Sequence, residues 1–273
     1  GLTMTGNNFG GLALTPIIGA VLVVYSWQIA YYVVAGMFLA VWLYTLAFVD
    51  ENVPLETDRA DESSTNEKRI LTPRRKPHLT GVALSDAFRM RNFYVLAVLM
   101  SIGSLAFTVL LPHLINNFTH TGVSLRVATG ALSLLAAFGM ISKVAFGALG
   151  EKFTGRLALM VSFSITIIGV VLMINPGPGP LVWISAAIFG LGMGAFGPLY
   201  TMVVQDNFGL RSFGAISGVL SLPSVVTTVV GPIIGGLTYD LANTYSPVFI
   251  SVAVIIAVGV LLLTLMRSPE AGR

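Results

Sequence analysis

Lys143 is the first residue to account for, because it places a charge inside an apolar run from Val123 to Leu149 whose only other charge, Arg126, lies near the far end. An ionisable side chain within a membrane-crossing segment is costly and usually faces a cavity or a partner. Two uses are open at this stage. Lys143 is a cation for an anionic solute, or its stem runs to the nearer interface and leaves the ammonium in water. His113 can titrate near neutrality; beside Pro112 it can instead cap freed carbonyls or meet water. Ser101, Ser104, Thr108, Ser221, Ser224, Thr227 and Thr228 fall at mid-membrane depth. Such hydroxyls contact a polar solute or satisfy backbone groups near bends such as Pro223. Met193, Phe196 and Tyr200 line a cavity or pack. From this set the expected substrate contacts are Lys143, Ser104, Thr108 and Tyr200.

Other chemistry is poorly supplied. With 0 Cys there are no disulfides, thiolate metal sites or cysteine nucleophiles. The sequence has no metal-ligand cluster, Ser-His-Asp arrangement or phosphate loop, so the chain is read as a non-enzyme without cofactor or metal. Gly190-Leu191-Gly192-Met193-Gly194 has the glycines of a dinucleotide loop but lies mid-segment with no strand before it, which makes helix packing its use. Asn117-Phe118-Thr119 matches a glycosylation acceptor.

The elements that must position these residues are long and apolar. Of 273 residues 55% are hydrophobic and 10% charged, and mean hydropathy is +0.86. Soluble domains carry roughly a quarter charged residues. A helix needs about 20 apolar residues to cross a bilayer. Eight segments qualify: 2–25, 27–49, 92–118, 123–149, 157–175, 181–206, 212–238 and 246–267. Between the second and third, 50–91 is rich in Asp, Glu, Ser, Lys and Arg and reads as a solvated linker, or as a regulatory or lipid-binding loop through Arg74-Arg75-Lys76. This gives three regions: the last two helices of a first bundle (1–49), the linker (50–91) and a six-helix bundle (92–273). A net charge of +3 raises nucleic acid as a partner. The basic residues, however, cluster at the ends of apolar runs, which membrane topology explains and nucleic acid does not. All Lys and Arg except Arg126 and Lys143 fall on the linker side, which puts the linker and both termini in the cytoplasm, with the plasma (inner) membrane as the location. No signal peptide is read at Gly1-Leu2-Thr3-Met4.

Two segments share a motif. Gly231-Pro232-Ile233-Ile234-Gly235-Gly236 has a near-copy in Pro16-Ile17-Ile18-Gly19. Proline bends a helix and glycine admits a neighbouring backbone. Six spans separate the copies, so the expectation is a parallel repeat of six helices, twelve in all, with the chain beginning partway through a longer protein.

Gly147-Ala148-Leu149-Gly150-Glu151-Lys152-Phe153-Thr154-Gly155-Arg156 resembles the signature between the eighth and ninth helices of the major facilitator superfamily, with Glu for Asp and Thr154-Gly155 for the usual Gly-Arg. Phe208 to Gly218 resembles the start of that family's eleventh helix, and Gly231 to Gly236 with Tyr239-Asp240 its outer half. Leu111-Pro112-His113 with Gly122-Val123-Ser124 resembles the seventh–eighth join of the monocarboxylate-porter and oxalate/formate-antiporter-like branches. The resemblance covers the family's fifth to twelfth helices. It implies an all-α polytopic membrane bundle that moves a small organic anion by alternating access. A coupling proton or counter-anion would be its co-substrate and the lipid bilayer its setting. In those branches an Arg associated with the substrate carboxylate stands four residues before the matching Gly, and Lys143 holds that position before Gly147. The Asp that some porters carry one turn earlier is Gly139 here, which leaves proton coupling in doubt. Glu151 matches an acid that contacts the start of a helix in the opposite bundle, here near Leu2, although it can equally be a solvated loop charge. Lys152 and Arg156 would pair with nearby acids. Pro16, Gly19, Gly147, Gly231, Pro232, Gly235 and Gly236 are expected gating and helix-packing positions. Drug efflux within the same superfamily and a non-transporting membrane sensor are the alternatives.

Overall fold

A computed structural model describes residues 27–48 and 80–266. Among them are nine helices: α1 Trp27–Phe48, α2 Leu84–Ala87, α3 Arg91–His120, α4 Leu125–Lys152, α5 Gly155–Leu172, α6 Leu181–Met193, α7 Phe196–Phe208, α8 Phe213–Ala242 and α9 Ser246–Leu265. Seven stretches are long and apolar enough to cross a membrane, with α6 and α7 counting as one, Leu181–Phe208. The expected spans 27–49, 92–118, 123–149, 157–175, 181–206, 212–238 and 246–267 correspond to them. The expected span 2–25 lies outside the described residues, as do Pro16, Gly19 and most of the linker. The described chain is an all-α polytopic bundle.

α1 belongs to one compact unit and α2–α9 to another. α1 is apolar all round and leaves Tyr32, Phe38, Trp42, Tyr44 and Phe48 exposed, as a lipid-facing helix does. In the second unit α3 packs along α8, α6 packs on both α4 and α5, and α9 lies against α5 and α3. Phe163, Phe189, Phe208 and Phe249 fill the core with Leu96, Leu99 and Leu199.

Short local signals end the helices. Ser124 accepts the Val127 N–H and caps α4; Thr154 accepts the Leu157 N–H at 3.1 Å and caps α5. The run Asn175-Pro176-Gly177-Pro178-Gly179-Pro180 separates α5 from α6. Asn243, at φ 50°, closes α8.

Two features depart from the sequence reading. The 181–206 span is two helices, broken at Gly194-Ala195. Pro198 has no N–H for the Gly194 carbonyl, so the helical ladder is interrupted there. Residues 80–90, read as part of a solvated linker, are instead docked. The Val82 N–H bonds the Phe208 carbonyl (2.9 Å) and the Leu210 N–H bonds the Thr80 carbonyl (3.0 Å) in an antiparallel bridge. Both bridge residues are glycines at positive φ, Gly81 at 148° and Gly209 at 70°. A Cβ on either would run into the opposite strand's backbone, so the bridge needs glycine twice. Asn92 Nδ2 donates to Asn207 Oδ1 at 2.7 Å and fixes the start of α3 to the end of α7.

Among the described residues no buried side-chain N or O lacks a hydrogen-bond partner, as a membrane interior demands. Asn117 shows the consequence. It is 2% exposed and its Nδ2 donates to the Met173 carbonyl at 2.8 Å, holding the end of α5. The acceptor motif is therefore structural. Expressed in a eukaryotic secretory host, the protein should show no glycosidase-sensitive mobility shift attributable to Asn117, whereas Asn117→Ala should lower the melting temperature, since an unpaired buried carbonyl costs about 1–3 kcal/mol.

Candidate functional site

Glycines bring the polar groups of α3 and α8 together. Gly231 lies against Thr108, where a Cβ would come within 2.6 Å of Oγ1, and Gly235 lies directly against the His113 ring. With no side chain at either position, the Thr108 hydroxyl sits 2.9 Å from the Ser104 carbonyl and 3.1 Å from the Thr227 carbonyl of α8. The Ser104 and Thr228 hydroxyls are 3.5 Å apart. The Thr228 hydroxyl donates to the Ser224 carbonyl at 2.8 Å, so Ser104 is the donor of that pair. Ser104, Thr108 and Thr228 thus form one patch at mid-helix, with Thr228 on the exposed face of α8. Gly236, expected as a packing glycine, has nothing within 4 Å of its would-be Cβ, because it points away from α3.

Lys143 is on α4, on the face that meets the broken span. It is 7% exposed. Gly139, one turn earlier, meets Gly194 backbone to backbone at the break. Ser142 donates to the Leu191 carbonyl at 2.5 Å, and Ser162 of α5 donates to the Gly192 carbonyl at 2.6 Å. Two flanking helices therefore satisfy carbonyls just before the interruption. Gly190 packs on the Leu135 backbone and Gly192 on Thr166, so the 190–194 glycines serve helix packing. Gly147 does not pack: nothing lies within 4 Å of its would-be Cβ. The packing glycine of that turn is Gly150, against Met202.

Tyr200 is not brought to either group. It is buried, and its hydroxyl donates to the Leu96 carbonyl at 2.9 Å. Phe196, one turn before it on α7, stacks on Phe163 with ring centres 5.6 Å apart and fills the space left by Gly103. Tyr200 packs α7 on α3, with its hydroxyl proton committed to backbone.

A cleft of about 990 Å³ opens at the linker end of the bundle, lined by Glu151, Thr154, Arg156, Gln205, Asp206 and Met266 among others. Arg156 was expected to pair with an acid. Its Nη2 donates instead to the Thr264 carbonyl at 2.7 Å, near the C-terminus of α9, where a cation is favoured by the helix dipole. Lys152 Nζ is 5.8 Å from the centre of the Phe153 ring. Asp206 escaped the sequence reading. Its carboxylate accepts the Gly155 N–H at the start of α5. A Cβ at Gly155 would meet Asp206 Oδ2 at 3.1 Å and Met202 Cγ at 3.0 Å, which explains glycine where the family signature has arginine. An acid two residues before the Phe208-Gly209 turn was the available signal. The partner expected for Glu151, near Leu2, lies outside the described residues.

Residues 1–225 match the family model described as Major Facilitator Superfamily. Monocarboxylate transporter 12-B of Danio rerio is 25% identical over 91% of this chain and 56% of its own length. The hexuronate transporter of Bacillus subtilis is 23% identical over 92% of this chain and 60% of its own length. Monocarboxylate transporter 12 of Mus musculus is 23% identical, with 92% and 55% covered. The chain spans little more than half the length of these curated relatives.

Proposed function

The chain belongs to the major facilitator superfamily, and from that premise we propose that it moves a small organic anion, a carboxylate in the simplest case, by alternating access between two helical bundles. Membership makes it an integral membrane protein of a transporter family. One observation carries the choice of an anion: a lysine at 7% exposure on the α4 face that meets the broken span. A buried lysine one helical turn from interrupted backbone is suited to an anion, much as broken helices hold ionic solutes in other carriers. Lysine supplies a point charge without arginine's two-pronged fork, so binding would be tolerant of carboxylate orientation. The Ser104–Thr228 hydroxyl pair is the second proposed contact region, with Thr108 beside it committed to backbone. Relatives named for monocarboxylates and for hexuronate support the same class of solute.

In this reading the linker end is cytoplasmic, Glu151 closes that side when the carrier faces outward, and a proton or counter-anion accompanies the substrate. The test is uptake by the full-length protein in proteoliposomes. Radiolabelled monocarboxylates, hexuronates and lipophilic cations would be offered with and without an imposed pH gradient. Accumulation of an acid and none of the cations is the expected result. Cation extrusion would replace the proposal with drug efflux, and no accumulation of any solute would favour a membrane sensor.

A further inference from the structure

We propose that His113 couples the proline-bearing turns of α3 and α8, so that the two helices bend as one hinge at the end of the bundle away from the linker. Pro112 deprives the Thr108 carbonyl of its helical N–H, and Pro232 does the same to Thr228. These are soft points of two 30-residue helices, of which α8 carries another proline, Pro223, nine residues before Pro232. They face each other. Before the soft points, the Thr108 hydroxyl is bonded to the Thr227 carbonyl at 3.1 Å and Thr108 lies on Gly231. Just beyond Pro112, His113 lies on Gly235 with Nε2 3.0 Å from the Pro232 carbonyl. A carbonyl only accepts, so Nε2 carries the proton in this arrangement. Tyr245, leading into α9, covers the imidazole at 5.4 Å, and Tyr239 of α8 stacks on Tyr245 at 4.5 Å.

The two helices are tied on both sides of their weakened turns. A bend of α3 at Pro112 alone would shear the His113–Pro232 bond or lift Thr108 from Gly231. Bending both together keeps both bonds. His113 is thus a positioning residue, with no contact to solute required of it. Only its kinetic consequence rests on the carrier reading.

The chain contains 0 Cys, so with any Cys outside it replaced by Ser, spin labels can be placed at Asn116→Cys on α3 and Leu241→Cys on α8 in the full-length protein. The unaltered pair should give a single distance. His113→Phe keeps the ring on Tyr245 but loses the donor, and should add a second population of roughly a tenth of molecules or more. His113→Gln carries an amide N–H to the same carbonyl and should restore the single distance. In proteoliposomes His113→Phe should lower maximal exchange about fivefold with KM nearly unchanged. A His113→Phe distance like the parent's, or a His113→Gln distribution as broad as that of His113→Phe, overturns the proposal. Should His113→Phe not fold, nitrogen NMR of the protein with every His except His113 replaced by Gln reads the same bond: an Nε2–H tautomer with a slowly exchanging proton supports it, and an Nδ1–H tautomer overturns it. Absence of uptake in every variant would sink the carrier reading and leave the distance test standing.

Discussion

Replacing Lys143 with methionine should reduce uptake of the organic anion by about two to three orders of magnitude, while Lys143→Arg keeps most of it. The magnitude follows from removing one member of a buried charge contact, which costs about 2–5 kcal/mol, at 1.4 kcal/mol for each factor of ten. The expected size reflects where Lys143 sits along α4. It lies nine residues before Lys152, about 13 Å of helix rise at 1.5 Å per residue, and that exceeds what a four-carbon stem spans. Its 7% exposure favours solute binding over a side chain that climbs to water along the protein surface. Methionine fills similar volume without the charge, so the variant tests the cation with little change in packing, and its melting temperature is measured beside uptake. Arginine restores the cation with a fork better matched to a carboxylate. Purified protein of unchanged melting temperature, assayed for saturable anion uptake, separates the two roles. Uptake within twofold of the parent in Lys143→Met would remove this residue from solute binding.

The second large effect falls on stability. Gly194→Val should destabilise the bundle by about 3 kcal/mol or more, at or beyond the upper end of ordinary overpacking. A Cβ at Gly194 would meet the Gly139 backbone directly and the Gly190 carbonyl at 2.7 Å. Nothing there is the far end of a flexible side chain, so neither neighbour can swing aside. Strain at this point spreads, because Ser142 and Ser162 hold the carbonyls just before it and Gly190 and Gly192 lock α6 to α4 and α5. Gly147→Val is the matched control: its would-be Cβ meets nothing within 4 Å, and the cost should stay near the 0.5 kcal/mol of ordinary surface changes. Thermal denaturation in detergent, followed by loss of monodisperse protein, measures both. Equal melting temperatures for Gly194→Val and Gly147→Val would show that the contact is not tight.

A point about legibility follows from that pair. Both glycines stand in apolar spans with similar neighbours in the sequence, and only Gly194 touches another backbone. In a soluble helix the polar face marks the side that does not pack. Here both the lipid side and the core side are apolar, so the 3.6-residue rhythm that would assign faces is erased. The same loss explains why Tyr200 was read as a solute contact and Asp206 was passed over. A tyrosine in an apolar run and an acid near its end look alike whether they point into the bundle, out of it or onto a neighbour's terminus.

The sequence alone determined seven of the eight expected membrane spans, the connections between them and the family. Each of these depends on length and hydropathy along one chain, or on local motifs such as Gly147 to Arg156. It also singled out Lys143, because one charge in an apolar run is costly wherever the helix faces. Only the tertiary structure decided which polar groups remain available. Thr108 and Tyr200 spend hydroxyls on the Thr227 and Leu96 carbonyls, Arg156 holds the end of α9, and Asp206 caps α5. Each of those bonds joins residues 50 to 120 positions apart. Which carbonyl comes within 3 Å of which hydroxyl is set by how two helices cross, and the angle and depth of that crossing come from the glycines that let backbones touch.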